Sequence, residues 1–335
     1  MTAAGSVGIL ATACSFPTET RSVADVFAAE GVELSDVTTA RLGIDSVTVG
    51  DAEAGSELAL DAARRALADA GLVGKDVHLI VDYTVLPQHF LVPVWNLGNK
   101  LQHELEATNA FTLGFSGGGT SSFHVALRFA ADMIAANDRL RTALLFGADT
   151  AIPGNRVINP DDPVTVLGDG ASAMVLSAEA ERDVILGTEL ISDGAFHDVC
   201  TIPGGALAHL GQDDRADLYR LRIDTAKLSA APTAATLERL GDAVAARTGS
   251  ELSVVKHFVF PNLSAADDAM CRAVWDAAAS PAIEANRRLR GHVQATDLVA
   301  NLESVSADGA CAEGDLLLVG SHGMGFTAGV TLLRH

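Results

Sequence analysis

Apolar runs too short to be helices alternate with alanine-rich segments of helical period from one end of the chain to the other, with no Pro- or Ser-rich linker between them. Val7–Leu10, Val77–Val85, Phe111–Phe115, Thr142–Gly147, Ala171–Ser177, Asp183–Ile191, Leu218–Ile223, His257–Phe260, Asp315–Val319 and Val330–Leu333 read as strands. Ser56–Leu72, Ser121–Ala136, Ala234–Arg247, Ala266–Ala278 and Thr296–Ser306 read as helices. Strands that are apolar throughout are covered on both faces, so the pattern predicts a layered α/β protein. At 335 residues the chain is long for one simple domain and suits two similar halves sharing a core. TALLFGAD (Thr142–Asp149) and DLLLVGSH (Asp315–His322) each run as a strand into a glycine-containing turn, one late in each half. The expected halves are residues 1–178 and 179–335.

Composition removes several classes of function. With 48% hydrophobic residues the chain buries enough surface to offset its ordering entropy, which excludes disorder. Its 23 basic against 43 acidic residues give a formal charge of −20, the wrong sign for tracking a phosphate backbone, so no nucleic-acid partner is expected. Four widely spaced cysteines (Cys14, Cys200, Cys271, Cys311) form no CxxC pair, so neither a metal site nor a disulfide framework is expected. No basic start followed by an apolar run opens the chain, and no stretch approaches the ~20 apolar residues of a membrane helix. These features point to a cytoplasmic protein with no membrane partner.

The segment richest in chemistry is FTLGFSGGGTSSF (Phe111–Phe123): strand, three glycines, hydroxyl residues, then an apolar helix. Glycines allow positive φ and close backbone approach, and a helix N-terminus presents N–H groups to a developing oxyanion. The plainer reading is a tight turn in which Thr120 or Ser121 caps the helix. Without GK[ST] or GxGxxG the turn is neither a P-loop nor a dinucleotide fingerprint.

The order LQHELEATNAFTLGFSGGGTSSFHVALRFAADMI, LLFGAD, LGDGASAMVL and the closing GDLLLVGSHGMGFTAGVTLLR resembles the ketoacyl synthase III branch of the thiolase superfamily, over about Val7 to Arg334. The resemblance implies an α/β thiolase fold, five-layered α-β-α-β-α, built from two pseudo-repeated halves. It also implies a homodimer, with the region near Leu91–Pro93 facing the partner's site. Condensing members place a Cys at the N-terminus of the buried helix, whereas this chain has no cysteine between Cys14 and Cys200. Two hydroxyls compete for the position. Counting forward from Leu79 favours Ser116, and counting back from Ala126-Leu127 favours Thr120; Ser121, Ser122 or an inert site stay open. Ser116 is preferred, because a primary alcohol is less hindered and Thr120 is well placed to cap the helix.

A second departure concerns the residues behind the nucleophile. Condensing members carry a His after Pro and an Asn after Gly, but here Pro261-Asn262 and Gly291-His292 exchange the two types. Asp297 follows His292 by five residues. A hydroxyl nucleophile needs an adjacent base, and a carboxylate on the other imidazole nitrogen fixes the tautomer. Ser/Thr–His–Asp therefore resembles the family's variants that move acyl groups without a cysteine, in polyketide priming and acyl transfer. Taken alone, His292 and Asp297 equally suit a solvated pair or a helix cap. Asn262 assists or holds water. His197 borders the entrance, His322 lines the pocket or is exposed, and His124 packs inside its helix.

By the same resemblance the oxyanion hole is a backbone amide of the nucleophile turn and one from Gly323-Met324-Gly325, with Met324 favoured. Arg41 before Leu42-Gly43-Ile44 is the candidate for recognising the donor, although Val37 stands where coenzyme A users place a Trp. The resemblance implies no permanently bound cofactor; the donor is acyl-CoA or an acyl-phosphopantetheine carrier protein, and the acceptor a small molecule. An acidic carrier protein would need the clusters Arg64-Arg65, Arg139–Arg141 or Arg287-Arg288-Arg290, unless these are ordinary solvated charges. The function expected is an acyltransferase of polyketide or other secondary metabolism. A decarboxylative, polyketide-priming ketosynthase, a catalytically silent partner subunit and a simple hydrolase are the alternatives.

Overall fold

The computed structural model describes residues 6–50, 54–86, 96–152, 154–202, 221–307, 309, 311–323 and 325–335. Nine strands matter for the site: β1 (Gly8–Ser15), β2 (Leu79–Asp82), β3 (Phe111–Gly114), β4 (Thr142–Asp149), β5 (Gly170–Ser177), β6 (Val184–Ser192), β7 (Val255–Val259), β8 (Leu316–Gly323) and β9 (Thr327–Arg334). They form one ladder in the order β7-β8-β9-β6-β1-β5-β4-β2-β3. β1 meets β6 at a single pair, Gly8 with Val184, so the ladder is two arms joined at one rung.

The arms repeat one another. From the junction outward, β1 runs antiparallel to β5, β5 antiparallel to β4, and β4 parallel to β2, which is parallel to β3. In the other arm β6 is antiparallel to β9, β9 antiparallel to β8, and β8 parallel to β7. The repeat extends to a register shift near the start of each innermost strand, between Ile9 and Ala11 and between Ile185 and Gly187.

Six helices complete the layers: α1 (Ala54–Asp69), α2 (Ser122–Ala136), α3 (Thr233–Thr248), α4 (Ala265–Ala273), α5 (Pro281–Arg290) and α6 (Thr296–Ala307). α1 packs on β1, β4 and β5, and α3 on β6, β8 and β9. α2 and α6 each touch strands of both arms. The order helix, sheet, helix pair, sheet, helix is the five-layered α-β-α-β-α arrangement. The side-chain alternation of a strand explains why TALLFGAD has no polar face. Ala143 and Leu145 enter the central core, while Leu144, Phe146 and Ala148 enter the outer one under α1. In β8, Leu317 and Val319 face the centre and Leu318 faces α3.

Several expected boundaries move. β1 continues to Ser15 because Ala11–Ser15, though small or polar, are pinned residue by residue to β5. The helix expected over Ala266–Ala278 stops at Ala273. α5 was not expected from periodicity, since most of its residues are polar; its Ser280 N-cap and Pro281 in the first turn are the signals that mark it. Among the described residues no helix is long and apolar enough to cross a membrane.

Candidate active site

The turn ahead of α2 is a backbone device. Gly117 and Gly119 sit at φ of 92° and 55°, in the left-handed region that glycine tolerates without strain. A short 3-10 turn, Gly119–Ser121, then runs straight into α2. Thr327 Oγ1 donates to the Gly118 carbonyl at 2.7 Å, which ties the turn to the start of β9. At Gly323 a Cβ would stand 2.0 Å from the same carbonyl, so no larger residue fits where the two turns meet.

Thr120 is 5% exposed, and its hydroxyl donates to the His322 backbone carbonyl at 2.6 Å. It therefore does not cap the helix. α2 begins from Ser121, whose side chain makes no capping bond and lies 3.2 Å from Ser321 Oγ. Ser116 is exposed and stands apart from the cavity that Thr120 lines.

That cavity encloses about 270 Å³. Val85, Leu86, Ile158, Leu167 and Leu263 give it apolar walls, and Thr120, His292, His322 and Gly323 supply its chemistry. Its roof is held by a buried acid. Asp149 Oδ1 accepts the Val85 and Leu86 N–H groups at 3.0 and 2.6 Å, and burial pushes the carboxyl up to about 8. Cys200 also lines the cavity, but burial pushes its thiol up to about 12, so it carries no thiolate near neutrality.

His292 and Asp297 come together, as the five-residue spacing permits. The loop between α5 and α6 turns back through Gly291 (φ 70°) and Gln294 (φ 49°). This brings His292 Nδ1 to 2.6 Å from Asp297 Oδ2, with both residues buried. Asp297 Oδ1 accepts the Val293 N–H at 2.8 Å, and Oδ2 also accepts that of Asn262 at 2.8 Å. With Nδ1 committed, Nε2 is the imidazole nitrogen left for the cavity, the orientation a general base needs. The Asn262 side chain is turned elsewhere: its Oδ1 accepts from Asn301 Nδ2 at 3.0 Å, and the residue is not part of the cavity wall.

The LGDGASA stretch places this loop. The His292 N–H donates to Val166 O at 3.0 Å, and the Gly168 N–H returns a bond to His292 O at 3.1 Å. Asp169 fixes the stretch from below. It is fully buried, holds Arg156 in two bonds of 2.9 and 2.7 Å, and accepts the Gly50 and Ala151 N–H groups.

The remaining expected positions fall around the site. Arg41 is bonded to Asp162 at 2.8 Å and to Pro163 O at 2.8 Å, on the wall of an adjoining lobe. His197 is exposed and is not part of the cavity wall. Gly325 follows at φ 134°, while Met324 and Leu91–Pro93 lie outside the described residues. His124 is fully buried on Thr331 Oγ1 at 2.8 Å, and burial holds it down at about 3. The third basic cluster is not a surface patch: Arg287 is buried near Asp268, Arg288 binds Asp45, and Arg290 covers the Phe16 ring.

Sequence reasoning missed the partner of His322. Its Nε2 lies 2.9 Å from Asp267 Oδ1, giving a second His–Asp pair, with His322 on the cavity wall and Asp267 in the adjoining lobe. Cys271 lies beside this pair, close enough for three ligand atoms to share an ion. The hydrogen bond already accounts for the positions of Asp267 and His322, and no metal is assigned. Ser264-x-x-Asp267 marks the start of α4, but nothing in that pattern joins Asp267 to His322.

A helix N-terminus, a buried imidazole oriented by a carboxylate and an apolar cavity, all inside five α/β layers, suit a condensing or acyl-transferring enzyme. Comparison with known proteins agrees. The family model for 3-oxoacyl-[acyl-carrier-protein] synthase III matches residues 117–194, the stretch carrying Thr120, α2 and LGDGASA. The beta-ketoacyl-[acyl-carrier-protein] synthase III of Rhodospirillum centenum is 31% identical over 312 residues, covering 88% of each chain. The acyltransferase ChlB3 superposes with a TM-score of 0.82 at 22% identity over 98% of this chain and 97% of that one. The priming beta-ketosynthase of the R1128 polyketide pathway gives 0.82 at 19% identity over 98% and 96%. The chain belongs to the beta-ketoacyl-[acyl-carrier-protein] synthase III family.

Proposed function

We propose that this protein transfers an acyl group from a thioester to a small-molecule acceptor through an ester on Thr120, in polyketide or other secondary metabolism. The single observation behind this reading is the His292–Asp297 pair at 2.6 Å, on the cavity that also holds the Thr120 hydroxyl. The hydroxyl proton turns from the His322 carbonyl to His292 Nε2, and Thr120 Oγ1 attacks the thioester carbonyl. Asp297 stabilises the imidazolium that forms, a type of general-base assistance worth ~10²–10⁴-fold. The oxyanion rests on backbone amides of the Thr120 turn and of the Gly323–Gly325 hairpin. The thiolate departs as the acyl–sulfur bond breaks, and the apolar walls suit a short acyl chain. Acyl-CoA or an acyl-carrier protein supplies the group, with Arg41 in the lobe through which the donor arm enters.

Decarboxylative condensation is the weaker reading, because Asn262 is engaged with Asn301 and no thiolate faces the cavity. The test is the intact mass of the protein after exposure to a panel of short acyl thioesters. Wild type and Ser116→Ala gain the acyl mass, and Thr120→Val does not. An adduct on Thr120→Val, or its loss in Ser116→Ala, rejects the assignment to Thr120.

A further inference from the structure

The mechanism just given uses one His–Asp pair, and a second reaches the cavity through its imidazole. His322 lines the cavity, and its ring Nε2 is bonded to Asp267, so Nδ1 is the nitrogen left to meet a reactant. Asp267 is fixed in the first turn of α4, where its N–H donates to Ser264 Oγ at 3.1 Å. Burial alone lowers the affinity of His322 for a proton, but the charge and hydrogen bond of Asp267 override it and hold the imidazole above its ordinary value. Cys271, one turn along α4, adds no charge, since burial keeps its thiol neutral. The backbone carbonyl of His322 is also the group that receives the Thr120 hydroxyl. Together with Leu263, His322 stands between the cavity and the neighbouring lobe of Arg41, Thr225 and Ser229. A reactant passing from that lobe to Thr120 meets this imidazole first.

We propose that His322, oriented by Asp267, is the general base for the acceptor, and that the acceptor is therefore an alcohol or an amine. The inference rests on the acyl-Thr120 reading. In the first half-reaction the Thr120 proton passes to His292, the Oγ1–acyl bond forms, and the sulfur leaves as thiolate. In the second, the acceptor O–H or N–H gives its proton to His322 Nδ1 as its heteroatom bonds the acyl carbon. The Oγ1–acyl bond breaks, and Thr120 recovers its proton from the His292 imidazolium. His322 then passes its proton to solvent, where the thiolate takes one up. Each imidazole thus serves one oxygen or nitrogen, and charge and protons balance over the cycle.

The experiment follows the decay of the acyl-enzyme in His322→Gln, with water and with hydroxylamine as acceptors. Hydroxylamine attacks esters without a base, so it bypasses the step assigned to His322. The expected result is an acyl adduct that still forms, with decay in water slowed ~10²-fold and decay in hydroxylamine nearly unchanged. Asp267→Asn shows the same selective loss to a smaller degree. Equal slowing in both acceptors indicates a structural role and overturns the proposal, as does unchanged decay in both. Failure of the parent reading is seen separately, as an adduct that survives Thr120→Val.

Discussion

Asp149 closes β4 with one carboxyl oxygen on two backbone N–H groups and the other without a partner. Burial holds its folded-state value at about 8, against an ordinary 3.8. Between those values the folded state keeps a proton that the unfolded chain has released. Stability is then greatest at the acid end of the window and falls as pH rises, by about 1.4 kcal/mol per unit. Asp149→Asn keeps an acceptor for Val85 and Leu86 and removes the titration. Urea midpoints measured at pH 5 and pH 8 should therefore lie closer together in the variant than in wild type. Residues of this kind mark the limit of reading the sequence. His292 with Asp297 was legible as a candidate pair because only five residues separate them, although the turn that joins them was not written in the spacing. The choice between Ser116 and Thr120 was not legible, since the glycine run offers two counts and only the folded chain shows that Thr120 lines the cavity and Ser116 does not. His322 and Asp267, 55 residues apart on different elements, had no local signal to join them.

Among the elements, the LGDG turn at the start of β5 props the loop that carries His292 and Asp297. A Cβ on Gly168 would lie 2.0 Å from the Arg290 carbonyl, just ahead of His292. Gly168→Ala must displace that backbone, at a cost of ~1–3 kcal/mol for overpacking. Because the displaced segment carries His292, acyl-adduct formation should fall further than the melting temperature accounts for. Asp169→Ala leaves Arg156 buried without its partner and should cost ~3–5 kcal/mol in a urea titration. The motif was conspicuous in the sequence, but its job was not, since Gly50, Arg156 and the 291–297 loop arrive from distant segments. Strand identities were readable for the opposite reason. β4 and β8 are apolar on both faces, and that pattern is written within eight residues.

At the scale of the whole molecule, the ladder ends at β3, an edge strand whose Phe111 is 67% exposed. An aromatic on an unpaired edge suits the homodimer that the family resemblance implies. Phe111→Glu should shift a dimer toward monomer by ~10-fold or more in dissociation constant, read by sedimentation equilibrium. A wild-type monomer at the same concentrations rejects that assembly. The layering itself came through from periodicity, yet the single rung between the arms did not, because it rests on one pair rather than on a pattern. The contact between Thr120 and His322 spans 202 residues, and Thr327 reaches back 209 to Gly118. A ribosome releases a chain N-terminus first, so the Gly117–Ser121 turn is made long before the hairpin that holds it. The candidate site is therefore incomplete until β8 and β9 have been made, and a chain truncated ahead of β8 carries that turn without the contacts that hold it.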